Sequence, residues 1–198
     1  MAALTGSVAA ITGGTEGVGR AIADAFAREG AEVVVSGTAS YQETVEGLVD
    51  TAVDRFGRID VLVLNPGDAE ESGPVAELDD ERWQRALDLN LNHVFWGMRR
   101  ALAHMLPRGA GRIIVTSSVE AKLPRAGASS SVAARHAVNG LVKSVAHEVG
   151  PNGVAVNAIL AGGAAVEEVA SVAVLLASPS ITSITGCMFP VDGGTMPY

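Results

Sequence analysis

The chain lacks the residues and segments on which several functional classes depend. It has one cysteine, Cys187, so no disulfide can form within it. It has no run of lysine or arginine and carries a formal net charge of −8, which argues against nucleic-acid binding through a basic surface. No long uninterrupted apolar stretch is present, and segment 1–10 lacks the pattern of a secretory signal. We therefore expect a soluble, cytoplasmic protein without membrane contact. The sequence also predicts no metal site.

Apolar residues, by contrast, are abundant. They make up 48% of the 198 residues, whereas charged residues make up 18%, so much of the backbone should be buried. A chain of this length suits one domain with a substantial core and is marginal for two. Because no repeat, linker or low-complexity tract is present, we predict a single domain over residues 1–198.

Short apolar runs alternate with segments of helical periodicity. The runs are unbroken rather than alternating, which is typical of strands covered on both faces. They lie at 7–12, 31–36, 59–65, 112–118, 154–160 and 187–191. The helical segments lie at 17–29, 43–57, 79–106, 128–149 and 165–177. This order predicts an α/β fold, with a parallel sheet built from right-handed βαβ units. In segment 79–106 we interpret Trp83 and Phe95 as core residues of one apolar stripe.

A glycine-rich turn follows the first predicted strand. Gly13, Gly17 and Gly19 fall where that strand leads into a helix. Glycine lets the backbone turn tightly and approach a ligand, and the free N–H groups at the helix start attract an anion. This context predicts a nucleotide site. At the end of the second strand, where an acid or an arginine usually separates NAD from NADP, the polar residues are Ser36 and Thr38, so the choice between them stays open.

Six segments, in order, resemble the short-chain dehydrogenase/reductase family over nearly the whole chain. They are the glycine loop, LVLNPG, LNL, TSS, VNAILAG and TGCMFPVDGG. The resemblance implies a Rossmann-like, doubly wound sheet with helices on both faces, usually in dimers or tetramers. It implies hydride transfer between NAD or NADP and an alcohol or ketone. The short connection after the second strand predicts six strands, with the family's usual third strand missing.

The resemblance also implies roles for individual residues. The cofactor would contact Thr12, Gly13, Thr15, Gly17, Val18, Gly19, Ser36, Thr38, Asn65 and Gly67. Asn90 matches the helix residue that relays protons through water. Ser118 matches the serine that hydrogen-bonds the substrate oxygen.

The family's Tyr-x3-Lys pair is replaced in this chain. Ser131 stands at the tyrosine position and Arg135 at the lysine position, so both are candidate catalytic residues. An aliphatic hydroxyl is a weaker acid than a phenol by roughly 5–6 pKa units, or about 7–8 kcal/mol, and cannot simply act as the general base. Arg135 keeps the positive charge but presents a planar fork that suits a carboxylate or phosphate. Ser131 is explained equally well as a small polar residue at a helix start.

Few other groups offer proton transfer. The two tyrosines are Tyr41, which the resemblance places on the nucleotide side, and Tyr198, which would have to reach a neighbouring subunit. His136 adjoins Arg135 but points about 100° away around the helix. We assign the remaining histidines, His93, His104 and His147, to packing or the surface.

Three functions remain open. The first is a redox enzyme of this family with an impaired or unusual proton path. The second is a non-redox enzyme similar to the halohydrin dehalogenases, which use an arginine beside an anion pocket; the intact loop at Gly17 and Gly19 argues against it. The third is a non-catalytic subunit or nucleotide-binding partner of an active relative. It is favoured because the base, the amine and the substrate-covering segment after Ala161 are lost together.

Overall fold

The computed structural model describes residues 2–38, 40–67 and 73–196. Within these ranges the sheet has six strands in the order β2-β1-β3-β4-β5-β6, and every neighbouring pair runs parallel. The strands are β1 (Val8–Ile11), β2 (Glu32–Val35), β3 (Val61–Leu64), β4 (Gly111–Ser118), β5 (Val154–Ala161) and β6 (Met188–Val191). The predicted six-stranded parallel sheet is confirmed.

Helices cover both faces of this sheet. They are α1 (Gly17–Arg28), α2 (Gln42–Phe56), α3 (Asp80–Leu87), α4 (His93–Met105), α5 (Ser129–Val149) and α6 (Val166–Ala177). One apolar layer lies between the sheet and α1 and α6, and a second lies between the sheet and α2, α4 and α5. Because both faces are covered, β1 and β3 are buried at every position, as their unbroken apolar sequences predict. None of these described helices combines the length and apolarity needed to cross a membrane.

The strand order reverses between β1 and β3. From β1 the chain moves outward to β2 at one edge, then returns past β1 to β3 and continues the other way to β6. Ile11, the last residue of β1, is in register with Val35 of β2 on one side and Val63 of β3 on the other. The loops that follow β1 and β3 therefore run in opposite directions, which leaves a crevice between them at the carboxyl edge of the sheet. Open α/β sheets bind their ligands at such a position.

The predicted core role of Trp83 and Phe95 is wrong. Their exposed fractions are 39% and 44%, and smaller residues such as Ala86, Val94 and Ala101 form the buried side instead. A spacing of four residues advances about 400° around an α-helix, so the supposed stripe drifts away from the core. Segment 79–106 is helical from Asp80 to Met105, and a π-helical turn at Asp88–Asn92 lies between α3 and α4.

Candidate functional site

Two adjoining cavities form a groove along the carboxyl edge of the sheet, at the reversal between β1 and β3. The first, here called the loop cavity, measures about 400 Å³ and is lined by residues that include Gly13, Glu16, Gly17, Thr38 and Gly67. The second, here called the serine cavity, measures about 160 Å³ and is lined by residues that include Thr116, Ser117, Ser118, Arg135 and Ala161. Val18, Asn65 and Pro66 line both. The groove therefore suits an elongated ligand.

Another cavity of about 410 Å³ opens at the opposite edge of the sheet, beside Asp60 and Arg112. It lies at the amino-terminal ends of the strands, and none of the predicted site residues lines it. Ligands in open α/β sheets bind at the carboxyl ends, so the groove and not this cavity is the candidate site.

The three glycines of the first loop serve different purposes. Gly19 sits in α1 where a Cβ would lie 2.0 Å from the Gly13 carbonyl oxygen, so only glycine lets the helix approach the loop. Gly13 has a φ of +60° and would place a Cβ 2.7 Å from the Asn65 side-chain nitrogen. Gly17 has a φ of +52°, yet nothing lies within 4 Å of the position of its Cβ. It lines the loop cavity, so the free space there belongs to the groove.

Thr12 supports this loop from beneath. It is fully buried, and its hydroxyl lies 2.8 Å from Nε2 of His93 and accepts the Asn65 backbone N–H at 2.9 Å. Burial lowers the pKa of His93 to about 4, so the ring is neutral at physiological pH. The Thr12 hydroxyl donates to Nε2 of that ring, whose Nδ1–H donates to the Leu89 carbonyl at 3.3 Å. Sequence reasoning placed His93 in a helix but gave no signal of this contact.

Asn65 joins three parts of the site. Its side-chain N–H donates to the Gly13 carbonyl at 3.4 Å, and its side-chain oxygen accepts the Thr116 hydroxyl at 2.5 Å. The loop after β1, the end of β3 and the end of β4 are thereby held together. Asn65 lines both cavities, as its predicted place in the cofactor site requires.

Asn90 and Arg135 are brought into contact. Asn90 lies in the π-helical turn, a feature that is frequent at functional sites, and is almost fully buried. Its side-chain oxygen accepts from Nε of Arg135 at 3.3 Å, and its side-chain nitrogen donates to the Ala86 carbonyl at 3.0 Å. The chain thus brings together two residues that the resemblance implied, although they are far apart in sequence.

Arg135 is also ion-paired with Glu120. Nη1 of Arg135 lies 2.5 Å from one carboxylate oxygen of Glu120, and Nε of Arg125 lies 2.5 Å from the other. The side chains of Glu120 and Arg135 are both mostly buried. Sequence reasoning missed Glu120. The available signal was the presence of an acidic residue two positions beyond Ser118, which is itself a candidate site residue.

The two candidate serines have different surroundings. Ser118 lies at the end of β4 and lines the serine cavity, and its hydroxyl accepts the Glu120 N–H at 3.3 Å. Ser131 is buried in the first turn of α5, where its hydroxyl donates to the Ala128 carbonyl at 3.1 Å. Ser131 is not among the described residues that line either cavity. Ser131 therefore lies at a helix start, but it does not cap the helix, because the N-cap residue is Ala128 and the Ser131 hydroxyl acts as a donor.

The remaining sequence candidates lie at the margins. The Ser36 hydroxyl donates to the Gly37 carbonyl at 3.0 Å, whereas Thr38 lines the loop cavity, and Thr15 is exposed in the glycine loop. Tyr41 directly precedes α2, and 72% of its surface is exposed. His136 is exposed on α5, and Tyr198 falls outside the described residues. Within the described ranges, no three His, Cys, Asp or Glu side chains form a potential metal cluster.

A family model described as short chain dehydrogenase matches residues 37–173. The chain belongs to the short-chain dehydrogenase family. Members of this family generally use NAD or NADP.

Known members of the short-chain dehydrogenase family align with almost the whole chain. A protein named 3beta-hydroxysteroid dehydrogenase 2, from Eggerthella lenta, is 30% identical, with 98% of this chain and 96% of the relative covered. A 3-oxoacyl-[acyl-carrier-protein] reductase from a Synechocystis species is 33% identical, with both chains fully covered. The crystal structure of levodione reductase superimposes with a TM-score of 0.91 at 26% identity, over 96% of this chain and 98% of that one.

The chain is nevertheless shorter than the Synechocystis reductase. The alignment with the Synechocystis reductase runs over 248 positions, whereas this chain has 198 residues, which leaves 50 positions of the alignment without a residue here. Both ends are matched, so the missing residues are internal. The two places where sequence analysis found shortened connections, after β2 and after Ala161, are where we expect them.

Proposed function

We propose that this protein binds a nicotinamide dinucleotide in the groove and performs hydride transfer poorly or not at all. The observation that carries the proposal is the composition of the serine cavity. Among the described residues that line it, the one acidic or basic side chain is Arg135, which is already ion-paired with Glu120. A guanidinium stays protonated at any pH at which proteins fold, so Arg135 cannot exchange a proton with a substrate.

The groove retains features that suit the dinucleotide. Gly17 leaves open space at the start of α1, where backbone N–H groups and the helix dipole attract a pyrophosphate. Thr38 and Gly67 line the loop cavity, and Asn65 and Val18 continue the groove into the serine cavity. When bound, the nicotinamide ring would supply the hydride donor or acceptor. The side chains of the protein would have to bind the substrate oxygen and transfer its proton.

The side chains at the serine cavity do not provide a group that can transfer a proton. The Ser118 hydroxyl can hydrogen-bond a substrate oxygen in the serine cavity. Removing or supplying the proton of that oxygen calls for a group with a pKa near the working pH. The Ser131 hydroxyl donates to the Ala128 carbonyl and is a weaker acid than a phenol by roughly 5–6 pKa units. We therefore propose a nucleotide-binding, redox-impaired member of the family.

The experiment is a calorimetric titration with NADH and NADPH, followed by an assay with a panel of alcohols and ketones. We expect saturable binding of at least one nucleotide and no turnover above the rate without protein. Efficient turnover of any substrate by the unmodified protein would refute the impaired-redox part. Absence of binding of both nucleotides at millimolar concentration would refute the nucleotide-binding part. Circular dichroism of the same samples checks that the protein is folded.

Association with other chains belongs to the same proposal. Members of the family often oligomerise, and the exposed aromatic side chains of Trp83 and Phe95 offer apolar surface on α3 and α4. A partner that is itself an active dehydrogenase would supply the missing chemistry. Light scattering of the protein alone, and mixed with an active relative from the same cell, distinguishes a homo-oligomer from a mixed assembly. A homo-oligomer that turns over substrate unaided would contradict the non-catalytic role.

The halohydrin-dehalogenase alternative gains no support. It needs Arg135 to act on a substrate or halide, whereas that guanidinium is bound to Glu120 and to Asn90. Halide release from a halohydrin by the unmodified protein is the direct test of that alternative.

A further inference from the structure

One cavity lies away from the groove, at the opposite edge of the sheet, and is here called the amino-edge cavity. It measures about 410 Å³ and is lined by residues at the amino-terminal ends of β3, β4 and β5 and by the segment after α6. Its charged lining residues, within the described part of the chain, are Arg58, Asp60 and Arg112. Two positive charges therefore stand beside one negative charge, in a protein whose formal net charge is −8.

The carboxylate of Asp60 already has several partners. One oxygen accepts the Val8 backbone N–H at 2.9 Å, and the other accepts from Nε and Nη2 of Arg58 at 3.0 and 2.6 Å. Arg108 binds that second oxygen as well. Burial alone would raise the pKa of Asp60, but these hydrogen bonds hold it below its ordinary value. No ion pair joins Asp60 to Arg112 among the described residues, so Asp60 does not balance the charge of that arginine.

Arg112, the second residue of β4, has a guanidinium group to which the described residues supply no counter-ion. Its Nη1 donates to the Gly111 carbonyl at 2.9 Å. Its Nε is buried and, like Nη2, donates to no described residue. Burial lowers the pKa of Arg112, and no neighbouring carboxylate offsets that effect. Leaving a buried donor of a charged group without an acceptor is costly, so an acceptor from outside the chain would stabilise this arrangement.

Glycine residues keep side chains out of the amino-edge cavity. Gly109, before β4, and Gly150 and Gly153, before β5, all line it. A Cβ on Gly153 would lie 2.1 Å from the Gly109 carbonyl oxygen, so the two loops pack backbone against backbone. The hydroxyl groups of Ser7 and Thr182 also line the cavity and bind no described residue. The cavity therefore combines open space with several free hydrogen-bond donors.

The carboxyl-terminal ends of two helices lie beside this cavity. Gly150, which follows α5, and Ala177, the last residue of α6, line it. The dipoles of these helices balance part of the positive charge. They leave Nε and Nη2 of Arg112 without an acceptor among the described residues, however, so the hydrogen-bonding capacity of the guanidinium group remains unused.

We propose that the amino-edge cavity binds a small molecule through a phosphate or carboxylate group, with Arg112 as the main contact. A guanidinium group presents two N–H groups side by side, which match two oxygens of such an anion. Arg58, whose side chain is 50% exposed, adds a second positive charge. The hydroxyl groups of Ser7 and Thr182 offer further donors. Because the cavity and the groove lie at opposite edges of the sheet, this site does not depend on the proposed function.

The test is a calorimetric titration with inorganic phosphate and, separately, with succinate, in the absence of nucleotide. It uses the unmodified protein, Arg112→Gln and Arg99→Gln. Arg112→Gln removes the charge and keeps a polar amide. Arg99→Gln is the matched control, because it removes an ion-paired arginine of α4 that does not line the amino-edge cavity.

We expect the unmodified protein to bind at least one of the two anions saturably. The affinity should fall at least about tenfold in Arg112→Gln, because charge-assisted hydrogen bonds are lost, and should stay unchanged in Arg99→Gln. The anion that binds more tightly identifies the group that the natural ligand carries. Equal affinity in all three proteins would place the anion elsewhere and overturn the proposal.

Nuclear magnetic resonance of the arginine side chains gives a second readout on the unmodified protein alone. The Nε–H signal of Arg112 should shift saturably with the same dissociation constant as calorimetry gives. No shift at saturating anion, or no saturable binding of either anion at millimolar concentration, would overturn the proposal and show that the helix dipoles suffice to balance Arg112. The NADH and NADPH titrations are separate measurements, so failure of this proposal is distinguishable from failure of the proposed function.

Discussion

Arg135 of α5 and Glu120, just beyond β4, form a mostly buried ion pair, with Nη1 and Oε2 2.5 Å apart at the edge of the serine cavity. The same guanidinium donates to Asn90 through Nε, and the same carboxylate also binds Arg125. The arginine that stands at the family's lysine position is therefore built into a charge network. Its positive charge is largely balanced by Glu120 before any ligand arrives.

Removing the carboxylate should reveal how far the fold depends on this pair. In Glu120→Gln the Arg135 charge stays buried without its counter-ion, which we expect to lower the free energy of unfolding by about 3 kcal/mol. Urea denaturation of the unmodified protein and of the variant measures this difference. Glu148→Gln, which removes an exposed acid, should change stability by less than about 0.5 kcal/mol. A loss in Glu120→Gln no larger than in that control would show that the pair does not stabilise the fold.

Restoring the family's tyrosine and lysine at positions 131 and 135 should restore the reduction of ketones. Ser131→Tyr combined with Arg135→Lys supplies the family's phenol at position 131 and an amine that can still pair with Glu120. We expect ketone reduction by NADH to rise by about 10²–10⁴-fold over the unmodified protein, the usual contribution of a general acid. Ser131→Phe combined with Arg135→Lys has the same bulk without the hydroxyl and should stay inactive. Equal activity of the tyrosine and phenylalanine forms would show that the phenol is not what the site lacks.

The buried histidine predicts a pH-dependent stability. His93 has a pKa of about 4 in the folded chain against 6.5 when unfolded, so the unfolded state binds the extra proton between these values. The contribution of His93 to the free energy of unfolding has its full value above about pH 6.5. It decreases as the pH falls and is lowest below about pH 4. Between pH 7 and pH 5 the loss should be about 2 kcal/mol. Urea denaturation at both pH values should show this loss in the unmodified protein.

The His93→Gln variant isolates this contribution. Glutamine keeps a hydrogen-bond acceptor for Thr12 but does not titrate, so the variant should lose about 2 kcal/mol less than the unmodified protein between the same pH values. Its total stability at pH 7 should be lower, because the ring's packing is lost. Parallel pH profiles in the two proteins would mean that His93 does not control the dependence.

Alanine substitutions at two glycines of the loop should affect different properties, one mainly the stability of the fold and the other mainly the affinity for the nucleotide. Gly19→Ala places a Cβ 2.0 Å from the Gly13 carbonyl oxygen, so we expect a loss of at least about 3 kcal/mol in unfolding free energy. Gly17→Ala meets no atom within 4 Å and should cost only about 1–2 kcal/mol, for its positive φ. Since its methyl group would enter the groove, its nucleotide affinity should fall about tenfold or more. Calorimetry and thermal unfolding on both variants measure the two effects, and an unaltered affinity in Gly17→Ala would place the nucleotide elsewhere.

The order of the elements and the kind of sheet could be predicted from the amino-acid sequence. Unbroken apolar runs such as Val61–Leu64 belong to strands that are covered on both faces, and the periodic segments between them belong to the crossover helices. These signals are local, because each depends on neighbours a few residues away. The glycine loop was recognisable for the same reason, since its residue types and spacing between a strand and a helix are sufficient, whereas the place of Asn65 was implied by the resemblance to the family.

The contacts between distant side chains became visible only in the folded chain. Glu120 contacts Arg135, and Thr12 contacts His93, although the two residues of each pair are distant in sequence. They meet because the loops that follow the parallel strands lie at one edge of the sheet. Packing also decided exposure: Trp83 and Phe95 have core-like side chains but lie at the surface, and smaller residues of the same helices are buried instead. The hydrophobic pattern of a segment can be read from that segment alone. Whether a side chain is buried, and which side chain it contacts, depends on the other elements that pack against the segment.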